Sequence, residues 1–154
     1  MIYKNDNLGL AINISTKLLN ELVEIGTFHY PNEIGGFLIG YYSDDFKLLN
    51  ITENILPEKY ISRRNTFERS TEGIFEKLEE FFNENPSKYY IGEWHTHPEG
   101  SPYPSSLDVK VINNIRQHDQ VSIQSPLMLI IGNIKKEVEF GFFVLYENKL
   151  YRYE

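Results

Sequence analysis

Between residues 93 and 108 the chain reads Glu93-Trp94-His95-Thr96-His97-Pro98, a loop from Glu99 to Pro104, and Ser105-Ser106-Leu107-Asp108. Residues two apart on a strand project from one face, so His95 and His97 would present two imidazoles side by side. Asp108, in the first turn of a following helix, would add a carboxylate. Two histidines and one carboxylate, with a fourth position left to solvent, are the ligands of a catalytic zinc rather than a structural one. Such an ion lowers the pKa of its water to about 7 and polarises the carbonyl under attack. The same residues admit plainer readings. A histidine at a strand end is commonly a hydrogen-bonded surface or core residue. Ser105-x-x-Asp108, ahead of Val109, Val111 and Ile112, is on its own the spacing of a helix capping box, in which both side chains satisfy backbone N–H groups. It is the combination of His95, His97, Ser105 and Asp108 within 14 positions that speaks for a metal.

A metal hydrolase also needs a base beside the water. Glu93 shares the histidines' strand face, Glu99 lies in the loop, and Glu33 lies far upstream beside Gly35-Gly36. Spacing does not choose among them. Trp94, on the opposite strand face, is expected in the core.

The elements that must position these groups follow from periodicity. Leu18, Leu19, Leu22, Val23 and Ile25 form a helical stripe over residues 15–30, with Ser15 as N-cap and Pro31 as stop. Residues 34–42 read as a strand whose glycines mark a close backbone approach. Asp44-Asp45 is a turn, and residues 46–56 a second strand ending at Pro57. Residues 60–69 are ambiguous. They hold the one dense basic spot, Arg63-Arg64, a solvated loop unless it guides an acidic tail. Thr71 to Asn83 reads as a helix with Ile74, Phe75, Leu78, Phe81 and Phe82 along one side. Lys88 to His97 reads as a strand and Ser105 to His118 as a third helix. Residues 127–131, 137–146 and 149–153 are strand-like. Neither His29 nor His118 has a partner at ligand spacing, and Tyr41 and Tyr42 are expected to pack on the sheet. The expected fold class is α/β, a mixed sheet with about three helices in a single domain.

Composition narrows the function classes. The chain has 154 residues, 41% hydrophobic and 24% charged, enough to bury about 68–70% of its unfolded surface without staples. There is no cysteine, hence no disulfide framework and no thiolate chemistry. The formal net charge of -7 argues against nucleic acid, which calls for a basic footprint. The longest apolar run, residues 127–131, falls far short of the roughly 20 residues that span a bilayer. The first residues form no targeting segment, so a cytoplasmic protein away from the membrane is expected.

His95-Thr96-His97-Pro98, then Pro104-Ser105-x-x-Asp108, with Glu33-Ile34-Gly35-Gly36 upstream, resembles the signature of the JAMM/MPN (JAB1/MPN/Mov34) metalloproteases. The matched positions run from Glu33 to Asp108, and the order of elements around them is similar to the MPN fold. The resemblance implies that residues 1–154 form a JAMM/MPN domain and that His95, His97 and Asp108 hold one Zn2+. It implies that Glu33 moves a proton from the zinc-bound water to the leaving amine, and that Ser105 hydrogen-bonds the oxyanion. It further implies cleavage after the C-terminal tail of a ubiquitin-like protein, an extended tail able to add as a strand to a sheet edge near the site. The compact length is similar to that of prokaryotic members, which stand beside E1-like and E2-like proteins, including in CBASS-type antiphage defence. Two alternatives remain: a non-catalytic scaffold of the same fold, and a metal hydrolase of small sulfur-carrier conjugates.

Overall fold

The computed structural model describes residues 1–117, 123 and 125–154; the expectation for His118 lies outside these. Two short strands open the chain, β1 (Ile2–Asn5) and β2 (Leu10–Ile14), followed by helix α1 (Thr16–His29). Ser15 caps α1 by accepting from the Leu18 N–H at 3.1 Å. Strands β3 (Gly35–Tyr42) and β4 (Leu48–Ile55) form a hairpin through the turn at Asp44-Asp45. The ambiguous stretch folds as a second hairpin, β5 (Tyr60–Ser62) and β6 (Phe67–Arg69). Helix α2 (Ile74–Phe82) starts three residues later than its periodicity predicts, because Gly73 occupies the N-cap at φ 75°. Then come β7 (Tyr89–His97), α3 (Ser106–Gln117), β8 (Leu127–Gly132), β9 (Glu139–Tyr146) and β10 (Lys149–Tyr153).

Eight strands make one sheet in the order β1-β2-β4-β3-β7-β8-β9-β10. The sheet is mixed, as expected: β2 pairs parallel with β4 and β7 parallel with β8, and the other pairs are antiparallel. β1 and β2 were not among the expected strands. They are only four and five residues long, too short for alternation to stand out from their polar neighbours.

The two sheet faces carry different loads. Leu18, Leu19 and Leu22 of α1 pack on Ile12, Leu38, Trp94, Leu129 and Phe142. Trp94 is buried on this face, as expected, and its indole N–H donates to Asn54 Oδ1 at 2.6 Å. The opposite face holds two smaller clusters, one around Phe37, Ile39, Ile55 and Ile74 of α2, the other around Ile112 of α3 with Met128, Ile130 and Phe143. Of the apolar side of α2, Phe75 and Phe82 are exposed rather than packed, since the short helix reaches the sheet only through its inner turn.

One irregularity matters for the site. The register of β7 against β3 slips between Leu38 and Ile39, so that Leu38 faces Gly92 and Ile39 faces Tyr90. The extra residue is a β-bulge at Ile91-Gly92. Gly92 has φ 153°, and a Cβ there would strike the Leu127 backbone. Because of the bulge, Tyr90 and Glu93 share a face although three residues apart, and the phenol of Tyr90 donates to Glu93 Oε1 at 2.9 Å.

Candidate metal centre

β7 lies in the middle of the sheet, paired with β3 on one side and β8 on the other. Its C-terminal end points His95 and His97 to the α2/α3 face. Gly35 of β3 stands opposite His95; a Cβ at Gly35 would strike the Trp94 carbonyl and crowd His95. This is the close approach that the glycines of residues 34–42 predict.

Asp108 comes from the first turn of α3. The capping box is present: Asp108 N–H donates to Ser105 Oγ at 3.1 Å, and Ser105 N–H donates to an Asp108 carboxylate oxygen at 2.8 Å. The same carboxylate reaches the histidines, Oδ1 lying 3.2 Å from His95 Nε2 and Oδ2 lying 3.2 Å from His97 Nε2. The cap and the cluster are therefore one arrangement, with the cap fixing the aspartate where the imidazoles meet.

The two Nε2 atoms are 3.1 Å apart. His97 Nδ1 lies 2.9 Å from the Ser101 carbonyl, which only accepts, so Nδ1 carries a proton and Nε2 is the nitrogen left to face the carboxylate or a metal ion. Zinc–nitrogen bonds of 2.0–2.1 Å at tetrahedral angles separate two ligand atoms by about 3.3–3.4 Å. The spacing of 3.1–3.2 Å in this cluster fits such an ion, as does the donor set of two imidazoles and a carboxylate. Among the described residues, this is the one such group of His, Asp and Glu side chains.

Electrostatics reinforce the convergence. Burial disfavours a charged His97, but the bonds to Asp108 and the Ser101 carbonyl outweigh it and hold its pKa above the ordinary value. Burial works against the Asp108 carboxylate too, yet hydrogen bonds from His95 and His97 hold it far below the usual range.

Glu33 lines the same cavity as the cluster. Burial lifts its carboxyl above the usual carboxylate range; the two histidines draw it partly back, and Asp108 adds to the lift. That is the direction a proton carrier near neutral pH requires. Its backbone is clamped from two sides. Glu33 N–H donates to the Arg63 carbonyl at 2.7 Å, and Ser62 Oγ donates to the Glu33 carbonyl. The next residue is tied to β7: Ile34 N–H donates to Thr96 Oγ1 at 3.1 Å, and Thr96 N–H to the Ile34 carbonyl at 2.9 Å.

The other two carboxylates are engaged elsewhere. Glu99 accepts from Tyr30 Oη at 2.9 Å and pairs with Arg64 at 2.7 Å. Glu93, on the histidines' strand face as expected, is held by Arg69 and Tyr90. Sequence reasoning did not single out Arg69, Tyr90 or Ser62. They come from a hairpin of three-residue strands and from a bulge, and neither leaves a periodic trace. His29 contacts the Ile25 carbonyl and Tyr60 Oη and stands apart from the cluster.

The cluster opens into a cavity of about 860 Å³ on the α2/α3 face. Its walls are largely apolar, with Phe37, Phe67, Ile74, Leu78, Ile112 and Met128 among them. Glu93, Arg69 and Tyr90 form a polar island on its floor.

Comparison with known proteins agrees with this architecture. The family model for prokaryotic homologs of the JAB domain matches residues 15–146. A protein of Enterobacter hormaechei subsp. hoffmannii (strain UCI 50) named CD-NTase/cGAS isopeptidase is 34% identical over 123 residues, covering 79% of this chain and 67% of that protein. One of the same name from Escherichia coli (strain TW11681) is 31% identical over 140 residues, covering 88% and 84%. Among solved structures, the solution structure of protein DSY2949 from Desulfitobacterium hafniense shares the fold, with a TM-score of 0.69 at 16% identity over 92% of this chain and 88% of that one. The expected MPN-type α/β fold is thus the observed one, and the chain belongs to the prokaryotic JAB-domain family.

Proposed function

We propose that this chain is a zinc-dependent isopeptidase, residues 1–154 forming one JAMM-type domain that cuts after the C-terminal tail of a conjugated protein. The observation that carries this reading is the convergence of His95 Nε2, His97 Nε2 and the Asp108 carboxylate at 3.1–3.2 Å beside a backbone-clamped Glu33. His95, His97 and Asp108 would hold one Zn2+, which when bound supplies a Lewis acid for the scissile carbonyl and an acidified water. Glu33, half-buried and lifted in pKa, accepts a proton from the attacking water and hands it to the leaving amine. Ser105 Oγ accepts from the Asp108 N–H, so its own proton is free to donate to the oxygen that gains charge in the tetrahedral intermediate.

The named relatives attach their activity to CD-NTase/cGAS. The substrate class that follows is an isopeptide through the tail of such an enzyme, or of a ubiquitin-like protein, installed by E1-like and E2-like partners in the cytoplasm as part of antiphage defence. No described helix is long and apolar enough to cross a membrane. An extended tail has one place to add as a strand near the cluster. β7 is paired on both sides, whereas the outer edge of β6 has no backbone partner among the described residues and lines the cavity.

The test is a purified chain given a lysine isopeptide of the tail. Zinc-loaded protein is expected to cleave it. Glu33→Gln is expected to bind zinc normally and to lose at least about 100-fold in kcat, the low end of what a positioned acid–base group contributes. A near-normal rate in that variant would remove Glu33 from the mechanism, and a purified chain that takes up no zinc would remove the reading itself.

A further inference from the structure

The polar island on the cavity floor is unusual in its setting. A charge pair inside an apolar trough is expensive to desolvate, and apolar residues of similar size would hold the hairpin to the sheet as well or better. Glu93 is served twice on one oxygen, by Arg69 Nη2 and by Tyr90 Oη. Burial pushes the Tyr90 phenol far up, so it remains a neutral donor. Arg69 is different. It carries five N–H donors in a rigid fork, and its guanidinium lies against the Phe37 ring, 5.0 Å from the centroid, which fixes its plane. Among the described residues, Arg152 Nε is the one buried side-chain nitrogen or oxygen without a partner. The remaining nitrogens of Arg69 are therefore not buried without a partner; the side chain is 25% exposed and lines the cavity. Arg69 thus keeps unspent donors beside a carboxylate of which one oxygen already accepts twice.

Its position along the trough sets what would meet those donors. Glu93 and His95 are two residues apart on β7, about 6–7 Å. If the scissile carbonyl sits at the cluster, an extended tail passing over Glu93 places there the third residue before the cut, two before the one that carries that carbonyl. Resting on the isopeptidase reading above, we propose that Arg69 is a specificity-determining residue that donates to the main-chain carbonyl of the third tail residue before the scissile bond, with Glu93, Tyr90 and Phe37 holding its guanidinium in place. The site would favour substrates with an extended tail reaching past the island and disfavour short ones, whatever their side chains.

The experiment compares two fluorogenic peptides in zinc-loaded protein, one with five tail residues before the cut and one with two. The parent is expected to prefer the longer. In the double variant Arg69→Met/Glu93→Met, which replaces the pair by apolar residues, the longer peptide should lose about tenfold in kcat/KM, mostly through KM, as for one charged hydrogen bond. The shorter should be cut at the parent rate, with zinc content unchanged. Arg69→Lys should fall between. Replacing the relevant carbonyl oxygen by sulfur should slow the parent and leave the double variant unaffected. Equal losses on both peptides would mean a merely structural role, and no loss on the longer would mean no contact; either overturns the proposal. A parent inactive on peptides of both lengths and on the full conjugate would strike the isopeptidase reading itself, a different result from parent activity without length preference, which strikes only Arg69.

Discussion

Asp108 carries two duties through one carboxylate: it caps α3 with Ser105 and faces both imidazoles. The duties separate by substitution. Asn can still accept from the Ser105 N–H but brings no charge, so Asp108→Asn is expected to melt close to the metal-free parent while its zinc content falls to background. Asp108→Ala should lose both, with a further destabilisation of about 1 kcal/mol from the cap. Elemental analysis beside thermal melts in chelator reads the two effects apart. Ser105→Ala should likewise lose about 1 kcal/mol of stability and a large part of kcat, with zinc retained. This much of the site was legible from residue types and spacing, because the strand period sets His95 and His97 side by side and Asp108 follows in the first turn of the next helix. The choice of Glu33 was not, since its place depends on a hairpin whose residues show no pattern.

That hairpin and the bulge are where local structure does what sequence spacing conceals. β5 and β6 grip the backbone of Glu33 through Arg63 and Ser62, and Arg64 ties the hairpin tip to Glu99 beyond β7. Ser62→Ala is expected to lower kcat while zinc binding and KM stay put, since the carbonyl of Glu33 loses its anchor and the carboxylate its aim. A shift in KM alone would argue against it. At the bulge, Gly92→Ala forces a side chain into a backbone conformation at φ 153° and against Leu127. The backbone alone costs about 1–3 kcal/mol, so a fall in melting temperature is expected together with loss of the longer-peptide preference, because Tyr90 and Glu93 no longer share a face. Period-two reading puts residues 90 and 93 on opposite faces, and only the inserted residue overrides it. The exposure of Phe75 and Phe82 has a similar origin: the helical stripe was read correctly, but how much of it the sheet covers is settled by tertiary placement.

The molecule keeps its two tasks on opposite sides of one sheet. α1 seals the larger core, while the cavity and the cluster lie with α2 and α3. The main core contains no cluster residue, so the fold should survive without metal. Zinc at 100 times its dissociation constant stabilises by about 2.7 kcal/mol, about 5–10 °C for a chain of this size. Chelation should therefore lower the melting temperature by that amount and leave far-UV circular dichroism unchanged; unfolding on chelation would contradict this division. Mixed α/β character could be read from the alternation of helical and strand periods. Strand order could not, because β1 and β2 are short and gain their identity only from neighbours distant in sequence.

The outermost strands also meet: Lys4 N–H donates to the Glu154 carbonyl and Glu154 N–H to the Lys4 carbonyl, each at 2.8 Å. Residues 4 and 154 are thus neighbours in space, while the turn after Tyr42 lies at the end of β3 away from Gly35 and His95. A covalent bridge of a few flexible residues joining the segments that hold residues 4 and 154, with a new break opened between Asp44 and Asp45, would reorder the polypeptide without disturbing His95, His97 or Asp108, giving a circular permutant that leaves a tether point remote from the cavity mouth.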